Sequence, residues 1–304
     1  MPSPFEAIGW APLGAGEPSS PGVGRKWLSS QSVPSGRHGF SVGSDRRAAT
    51  FRLALEYDGT GFHGWQLQKE HRSVQGDLET ALRRLSTGAV RVTGAGRTDA
   101  GCHAAGQVAS ATVVTPLGPD RLQRALNALL PGDVRIIETA EVDPEFHARF
   151  DAMRRAYRYL IAQRPTAIRR GYAWIHPMSA DPDELDEVSR PLLGEHDFTS
   201  FTRQGSETGD ARCRVTRARW SKGPGGLRFD IEADRFLYMM VRRIVSTVIR
   251  AWERGAGARE VRAILEARDR RAAAPPAPAH GLYLMRVRYP RVGWIPKEPW
   301  NVTA

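Results

Sequence analysis

The segment Gly94-Ala95-Gly96-Arg97-Thr98-Asp99-Ala100-Gly101-Cys102-His103 places three glycines and a charged pair between two predicted strands. A dinucleotide-binding loop has two residues between its second and third glycines and a helix after it, but here four residues intervene and a strand follows. A phosphate-binding P-loop needs lysine and then serine or threonine where Cys102 and His103 stand. What remains is a tight loop that presents an arginine and a carboxylate two residues apart.

Two interpretations of this loop stay open from the residues alone. In one, it is a structural turn in which Asp99 bonds nearby backbone amides and Arg97 is solvated. In the other, Asp99 is a nucleophile or base, because no second acid or metal-ligand cluster accompanies it. Cys102 and His103 do not predict a thiol nucleophile, since neighbours on a strand point to opposite faces. The histidines are too scattered to predict a metal site.

Hydrophobic periodicity on both sides of the loop predicts alternating strands and helices. The predicted strands are 51–57, 90–93, 106–114, 133–139, 156–162, 215–220, 227–232 and 282–289. The predicted helices are 73–85, 120–130, 181–194, 236–253 and 258–267, with Pro191 in a distorted last turn of the third. This order predicts an α+β protein of two similar half-domains, whose mainly antiparallel sheets meet at a basic cleft.

Composition divides the chain further. Residues 1–50 contain 6 Pro, 8 Gly and 9 Ser, which predicts a disordered leader; a transit peptide or a start codon called too early are alternatives. We expect an N-terminal half over 51–150, a C-terminal half over 151–290 and a tail over 291–304.

The net charge of +11, from 44 basic and 33 acidic residues, favours binding to a polyanion such as nucleic acid. Arginines scattered over the surface by coding bias would give the same excess. The apolar run 236–249 is interrupted by Arg242 and Arg243, so no membrane span is predicted, and two cysteines fit a reducing cytosol.

Two further clusters carry arginine. Arg154 and Arg155 open a stretch in which arginine alternates with tyrosine, a pattern that can place guanidinium groups on phosphates beside a base-stacking ring. An exposed edge strand would show the same pattern. Arg242 and Arg243 lie in an otherwise apolar helix, where at least one of them needs a carboxylate partner if it faces inward. A solvated stripe on an amphipathic helix would show the same spacing.

Several ordered motifs over about residues 51–290 resemble the TruA family of tRNA pseudouridine synthases. The motifs are Glu56-Tyr57-Asp58-Gly59, Gly64-Trp65-Gln66, Ser73-Val74-Gln75, Gly96–Gly101 with His103 and Gly106-Gln107-Val108, Phe146–Phe150, Gly194–Phe201, Met240-Val241-Arg242 and Gly281–Leu284. Departures are Cys102, where the family more often has valine, and Ser246, where it usually has glycine.

The resemblance implies conversion of uridine to pseudouridine at tRNA positions 38, 39 and 40, in the anticodon arm, without metal or cofactor. Asp99 then matches the catalytic aspartate, and Arg242 the arginine that pairs with it and favours its charged form. Tyr157 matches a tyrosine that stacks on the base and removes a proton. Arg97 matches the residue that fills the place of the flipped base, and Leu282 an apolar residue that packs on it.

The resemblance also implies a cytoplasmic homodimer in which one tRNA contacts both subunits, with no membrane and no nucleotide cofactor as partners. Two alternatives stay open. A non-catalytic tRNA-binding or folding protein would keep the cleft, and a related synthase could act on another RNA.

Overall fold

The structure, a computed structural model, describes residues 47–203, 210–223 and 225–296. In the first half, strands and helices alternate: β1 (Arg47–Tyr57), α1 (Val74–Arg83), β2 (Thr93–Gly94), β3 (His103–Thr115), α2 (Pro119–Leu129) and β4 (Val134–Val142). The second half continues with β5 (Arg154–Ala162), β6 (Trp174–Ile175), α3 (Pro182–Ser189), β7 (Gly194–Asp197), β8 (Arg212–Gly223), β9 (Gly226–Ala233), α4 (Met240–Glu253), α5 (Gly257–Ala267), β10 (Leu282–Tyr289) and β11 (Gly293–Ile295). The predicted α+β class is confirmed.

Strands of both halves form one continuous sheet. Among the described residues its order is β4-β1-β3-β10-β5-β9-β8-β7, with β2 on β3, β6 on β5 and β11 on β10. Along this path only β3 and β10 are parallel, with Tyr283 beside His103 and Leu284 beside Ala104. The sequence predicts two sheets that meet at a cleft, whereas the structure has one continuous sheet. The last long strand, β10, lies between β3 of the first half and β5 of the second, and the cleft lies where the two halves join.

The ordered region begins and ends beyond the predicted limits. Strand β1 starts at Arg47 rather than residue 51, because residues 47–50 pair with residues 112–115 of β3. Part of the predicted tail is also folded, since Ile295 lies opposite Val287 in the β10 and β11 pair. Most of the predicted leader, residues 1–46, and residues 297–304 lie outside the described residues.

Capping explains where the helices begin. The Ser73 side chain accepts a hydrogen bond from the Gly76 amide and starts α1. Asp181 and Glu184 form a capping box at α3, and Pro191 lies in the 3-10 turn that follows this helix, as the predicted distortion required. Helix α4 begins at Met240, later than the predicted start at residue 236, because Met239 adopts a left-handed φ of 62°.

The helices bury apolar faces against the sheet. Val241, Ile244, Val245 and Val248 form the buried face of α4, and each contributes roughly 1.5–3 kcal/mol by leaving water. None of the helices in the described ranges is long and apolar enough to cross a membrane.

Candidate active site

The segment Gly94–Gly101 forms a loop before β3, and its first part is fixed by hydrogen bonds to that strand. The Ala95 amide donates to the Val108 carbonyl at 2.7 Å. The Gln107 side chain donates to the Gly96 carbonyl at 2.6 Å and accepts from the Gly96 amide at 3.3 Å. The Gln107 side chain therefore fixes the first part of the loop, although the sequence analysis assigned no role to this residue.

The middle of the loop is held by the segment after β1. The Trp65 amide donates to the Thr98 carbonyl at 3.1 Å, and the Thr98 hydroxyl lies 2.8 Å from the Tyr57 hydroxyl. A Cβ on Gly64 would lie 2.6 Å from the Thr98 carbonyl oxygen, and its φ is +93°. Only glycine permits this close approach.

The end of the loop rests on the Asp58-Gly59 turn. His103 Nδ1 lies 3.1 Å from Asp58 Oδ1 and 3.0 Å from the Gly59 nitrogen, and Tyr172 donates to Asp58 Oδ2 at 2.7 Å. Burial opposes the shift, but hydrogen bonds from His103 and Tyr172 help to hold the pKa of Asp58 well below its usual range. His103 therefore has a structural partner, and Cys102 is buried with its thiol pKa raised by that burial to about 12. The Cys102 thiol is therefore not activated as a nucleophile, and His103 does not act as its base.

Asp99 and Arg242 meet as an ion pair across the two halves. Arg242 lies in the first turn of α4, and its Nη1 donates to Asp99 Oδ2 at 2.9 Å. Its Nε donates to the Ala277 carbonyl at 2.7 Å. The side chains are 12% and 14% exposed, so the inward-facing arginine has the carboxylate partner that the sequence analysis required.

The net shift of the Asp99 pKa is upward, contrary to the expected lowering. Burial raises the pKa of Asp99, and the charge and hydrogen bond of Arg242 oppose that rise. Arg203 adds a smaller opposing charge. Arg242 thus favours the ionised carboxylate in the expected direction, but it acts against a larger effect of desolvation.

Tyr157 and Leu282 line the same cavity as Asp99, which has a volume of about 1130 Å³. Tyr157 is buried on β5 and meets Phe236 edge to face, with ring centroids 4.9 Å apart. Leu282 is the buried first residue of β10. The cavity exceeds the roughly 300–1,000 Å³ of ordinary small-molecule pockets, so it has room for part of a polymer.

The three remaining predicted site residues lie in different settings. Arg97 is exposed and lines the cavity. Arg155 also borders it, but the side chain is buried and all five of its N–H groups donate to backbone carbonyls, at Ala95, Ala152, Asp234 and Arg149. Arg154 precedes it on β5 and therefore points to the other face of the sheet.

Arg155 therefore cannot contact phosphate without breaking these bonds, and Arg154 lies on the face away from Tyr157. These hydrogen bonds argue against the predicted phosphate contact of Arg155, whereas that of Arg154 stays a prediction. A side chain that the sequence analysis missed is Arg203, whose guanidinium lies 5.6 Å from the centre of the Tyr238 ring. The fold brings the Arg203 charge close to the cavity, and no local sequence pattern indicates that position.

Comparison with known proteins identifies the family. A family model described as tRNA pseudouridine synthase matches residues 53–151 and 188–290. The chain belongs to the tRNA pseudouridine synthase family. Enzymes of this family are isomerases that convert uridine to pseudouridine. The matched segments contain the Asp99 loop, Arg242 and Leu282.

Curated relatives agree over most of the chain. Proteins named tRNA pseudouridine synthase A are 41% identical over 244 residues in Geobacillus sp. (strain WCH70) and 40% identical over 240 residues in Acetivibrio thermocellus. These alignments cover 78% of this chain and 97% and 98% of the relatives. A third, from Agrobacterium fabrum, is 40% identical over 80% of this chain and 93% of its own length.

Proposed function

We propose that this protein isomerises uridines 38, 39 and 40 in the anticodon arm of tRNA, with Asp99 as the catalytic carboxylate. The observation that carries the proposal is the buried ion pair of Asp99 and Arg242 at the wall of the large cavity. A buried carboxylate with one arginine partner is positioned to attack, because Arg242 favours its charged form where water is largely excluded.

The reaction rearranges one base without a net change in atoms. The bond between N1 and the ribose carbon breaks, the ring turns, and a new bond forms from C5 to the same ribose carbon. The hydrogen at C5 leaves as a proton and N1 gains one, so no oxidant, reductant or cofactor is consumed. Asp99 is the nucleophile that displaces N1 from the ribose carbon, and the attack of C5 on that carbon then displaces Asp99, so the carboxylate is regenerated.

Tyr157 is proposed to stack on the turned base, because its ring lines the cavity beside Asp99. Burial raises the pKa of Tyr157 well above its ordinary value, so its hydroxyl is protonated in the free protein. This favours stacking and hydrogen bonding over removal of the C5 proton by a phenolate, the second role that the family resemblance implied.

The target base must leave its stem before it reaches Asp99, at a cost of a few kcal/mol. Arg97 is proposed to occupy the space that the base leaves, because it is exposed where the loop borders the cavity. Leu282 is proposed to pack against the flipped nucleotide from β10. We further propose a cytoplasmic homodimer in which one tRNA contacts both subunits; this rests on the family resemblance.

Release of tritium from a tRNA transcript labelled at uridine C5 tests the proposal, because the new bond at C5 must expel that hydrogen. We expect release by the unmodified protein and none by Asp99→Asn. Asp120→Asn, which changes an exposed carboxylate on α2 outside the cavity, is the matched control and should release tritium normally.

Mapping of pseudouridine in tRNA from a deletion strain separates the possible targets. Loss at positions 38, 39 and 40 alone supports the proposal. Tight tRNA binding without any tritium release would instead support a non-catalytic binding protein, and loss at other positions would support a different RNA target.

A further inference from the structure

Phe150 is a large apolar side chain that is exposed at the cavity. Its relative accessibility is 75%, and it lines the cavity with Arg149 and Asp99. It lies in the connection between β4 and β5. The exposed ring is available to stack on a ligand that enters the cavity.

The ring is held in place by its own turn. His147 Nδ1 accepts hydrogen bonds from the amides of Arg149 at 3.2 Å and Phe150 at 3.1 Å. The His147 ring stacks on the Phe150 ring with centroids 4.3 Å apart. Asp151 closes the turn, because its carboxylate accepts from the His147 amide at 2.9 Å.

The turn is also anchored to the sheet. The Ala148 amide donates to the Ser110 hydroxyl at 3.2 Å, and the Ala148 carbonyl accepts from the Tyr289 hydroxyl at 2.6 Å. The Arg149 carbonyl accepts from the buried Arg155. Because the backbone is fixed on both sides of the ring, little conformational entropy is lost when a ligand stacks on it.

A cation accompanies the ring. The Arg149 guanidinium carbon lies 5.7 Å from the centre of the Phe150 ring. Arg149 is exposed and forms no ion pair with any carboxylate in the described part of the chain. A rigid ring with a free guanidinium beside it matches a nucleotide, which offers a flat base and a phosphate.

We propose that Phe150 is a stacking platform for a nucleobase of the substrate tRNA next to the target uridine, and that Arg149 contacts the phosphate of that nucleotide. The inference rests on the proposed function, because it assigns the ring to the RNA that enters the Asp99 cavity. The fixed position of Phe150 would hold the neighbouring base while the target base is turned.

The test compares Phe150→Ala with Phe150→Trp. Loss of one base-aromatic stack should raise the KM for tRNA and the Kd from filter binding by roughly 5- to 100-fold, with kcat changed less. Phe150→Trp should restore both. Leu193→Ala, an exposed apolar residue outside the cavity, is the control and should leave both constants unchanged.

Arg149→Ala tests the phosphate contact separately. It should lower the slope of log Kd against log salt by about 1 and weaken binding for every tRNA alike. Unchanged tRNA affinity in Phe150→Ala would overturn the platform. A shift of that variant from dimer to monomer in sedimentation, with normal affinity per subunit, would also overturn it and assign the ring to a contact between two copies.

The binding measurement does not depend on turnover. If the unmodified protein binds tRNA but releases no tritium, the proposed function fails, and the Kd of Phe150→Ala still decides the platform. Thermal unfolding of the two Phe150 variants should be unchanged, because the Phe150 ring is mostly exposed.

Discussion

Replacement of Arg242 by methionine removes the guanidinium that faces Asp99 and keeps a long apolar stem in α4. Among the described residues, Arg242 is the one side chain that donates a hydrogen bond to the Asp99 carboxylate. Arg203 acts on it through charge alone. The variant therefore leaves a carboxylate that is 14% exposed without a hydrogen-bonded partner.

The contact distance sets the size of the effect. The nitrogen and oxygen lie 2.9 Å apart, and two unit charges about 4 Å apart interact by about 4 kcal/mol at an effective dielectric constant near 20. This energy corresponds to about three pKa units, the upper end of the 1–3 units observed for aspartate beside arginine. We expect the Asp99 pKa to rise by about 1–3 units in Arg242→Met.

The assay is kcat/KM for tritium release from about pH 5 to pH 9. The acid limb of the variant should move to higher pH by the same 1–3 units, so that its deficit is largest in acid and shrinks as pH rises. Arg242→Lys should lie between the two. A deficit of equal size at every pH would refute the reasoning, because it would mean that Arg242 only positions the carboxylate or the substrate.

Two predictions concern stability. Burial raises the pKa of Glu56 to about 7, so the folded state holds a proton that the unfolded state loses above about pH 4.3, and stability should fall from there to pH 7. Glu56→Gln should flatten this fall and raise the free energy of unfolding at pH 8 by about 1–2 kcal/mol, after allowance for the remaining exposure of Glu56. Urea unfolding at pH 4 and pH 8 measures the change. An equal gain at both pH values would contradict the raised pKa of Glu56. Arg155→Met should cost about 3–5 kcal/mol in urea unfolding at neutral pH, because it leaves several buried carbonyls without donors. The adjacent Arg154→Met should cost less than about 0.5 kcal/mol, and equal losses would show that the hydrogen bonds of Arg155 contribute nothing.

Local periodicity predicted most elements of the fold but not how they combine. The alternation in residues 51–57 and 282–289 is visible in the sequence, and both segments are strands. Their neighbours are not visible, because β10 pairs with β3 about 180 positions earlier in the chain. The alternation of residues 282–289 predicts a strand but does not indicate which strands it pairs with. The sequence pattern alone therefore predicts two sheets where the structure has one.

The candidate site likewise contains residues that the sequence indicates and residues whose role only the fold reveals. Local chemistry indicates Asp99, a carboxylate in a glycine-rich loop, and the pair Arg242 and Arg243, two charges inside an apolar helix. The family resemblance distinguishes Arg242 from its neighbour. Arg155 was misinterpreted, since arginine that alternates with tyrosine looks the same whether its guanidinium meets phosphate or backbone carbonyls. Only the fold, which brings Ala95 and Asp234 to Arg155, decides between these two roles.

The register of β10 connects the fold to the chemistry. Tyr283 lies beside His103, stacks on it with ring centroids 4.8 Å apart, and donates to the Tyr172 carbonyl. A slip of one residue would reverse the faces of Leu282 and Tyr283. It would remove Leu282 from the cavity and the ring from His103, which supports the turn beneath the Asp99 loop. The contact that joins the halves also helps to set the position of the Asp99 loop, so the assembly of the sheet and the geometry of the candidate site cannot vary independently.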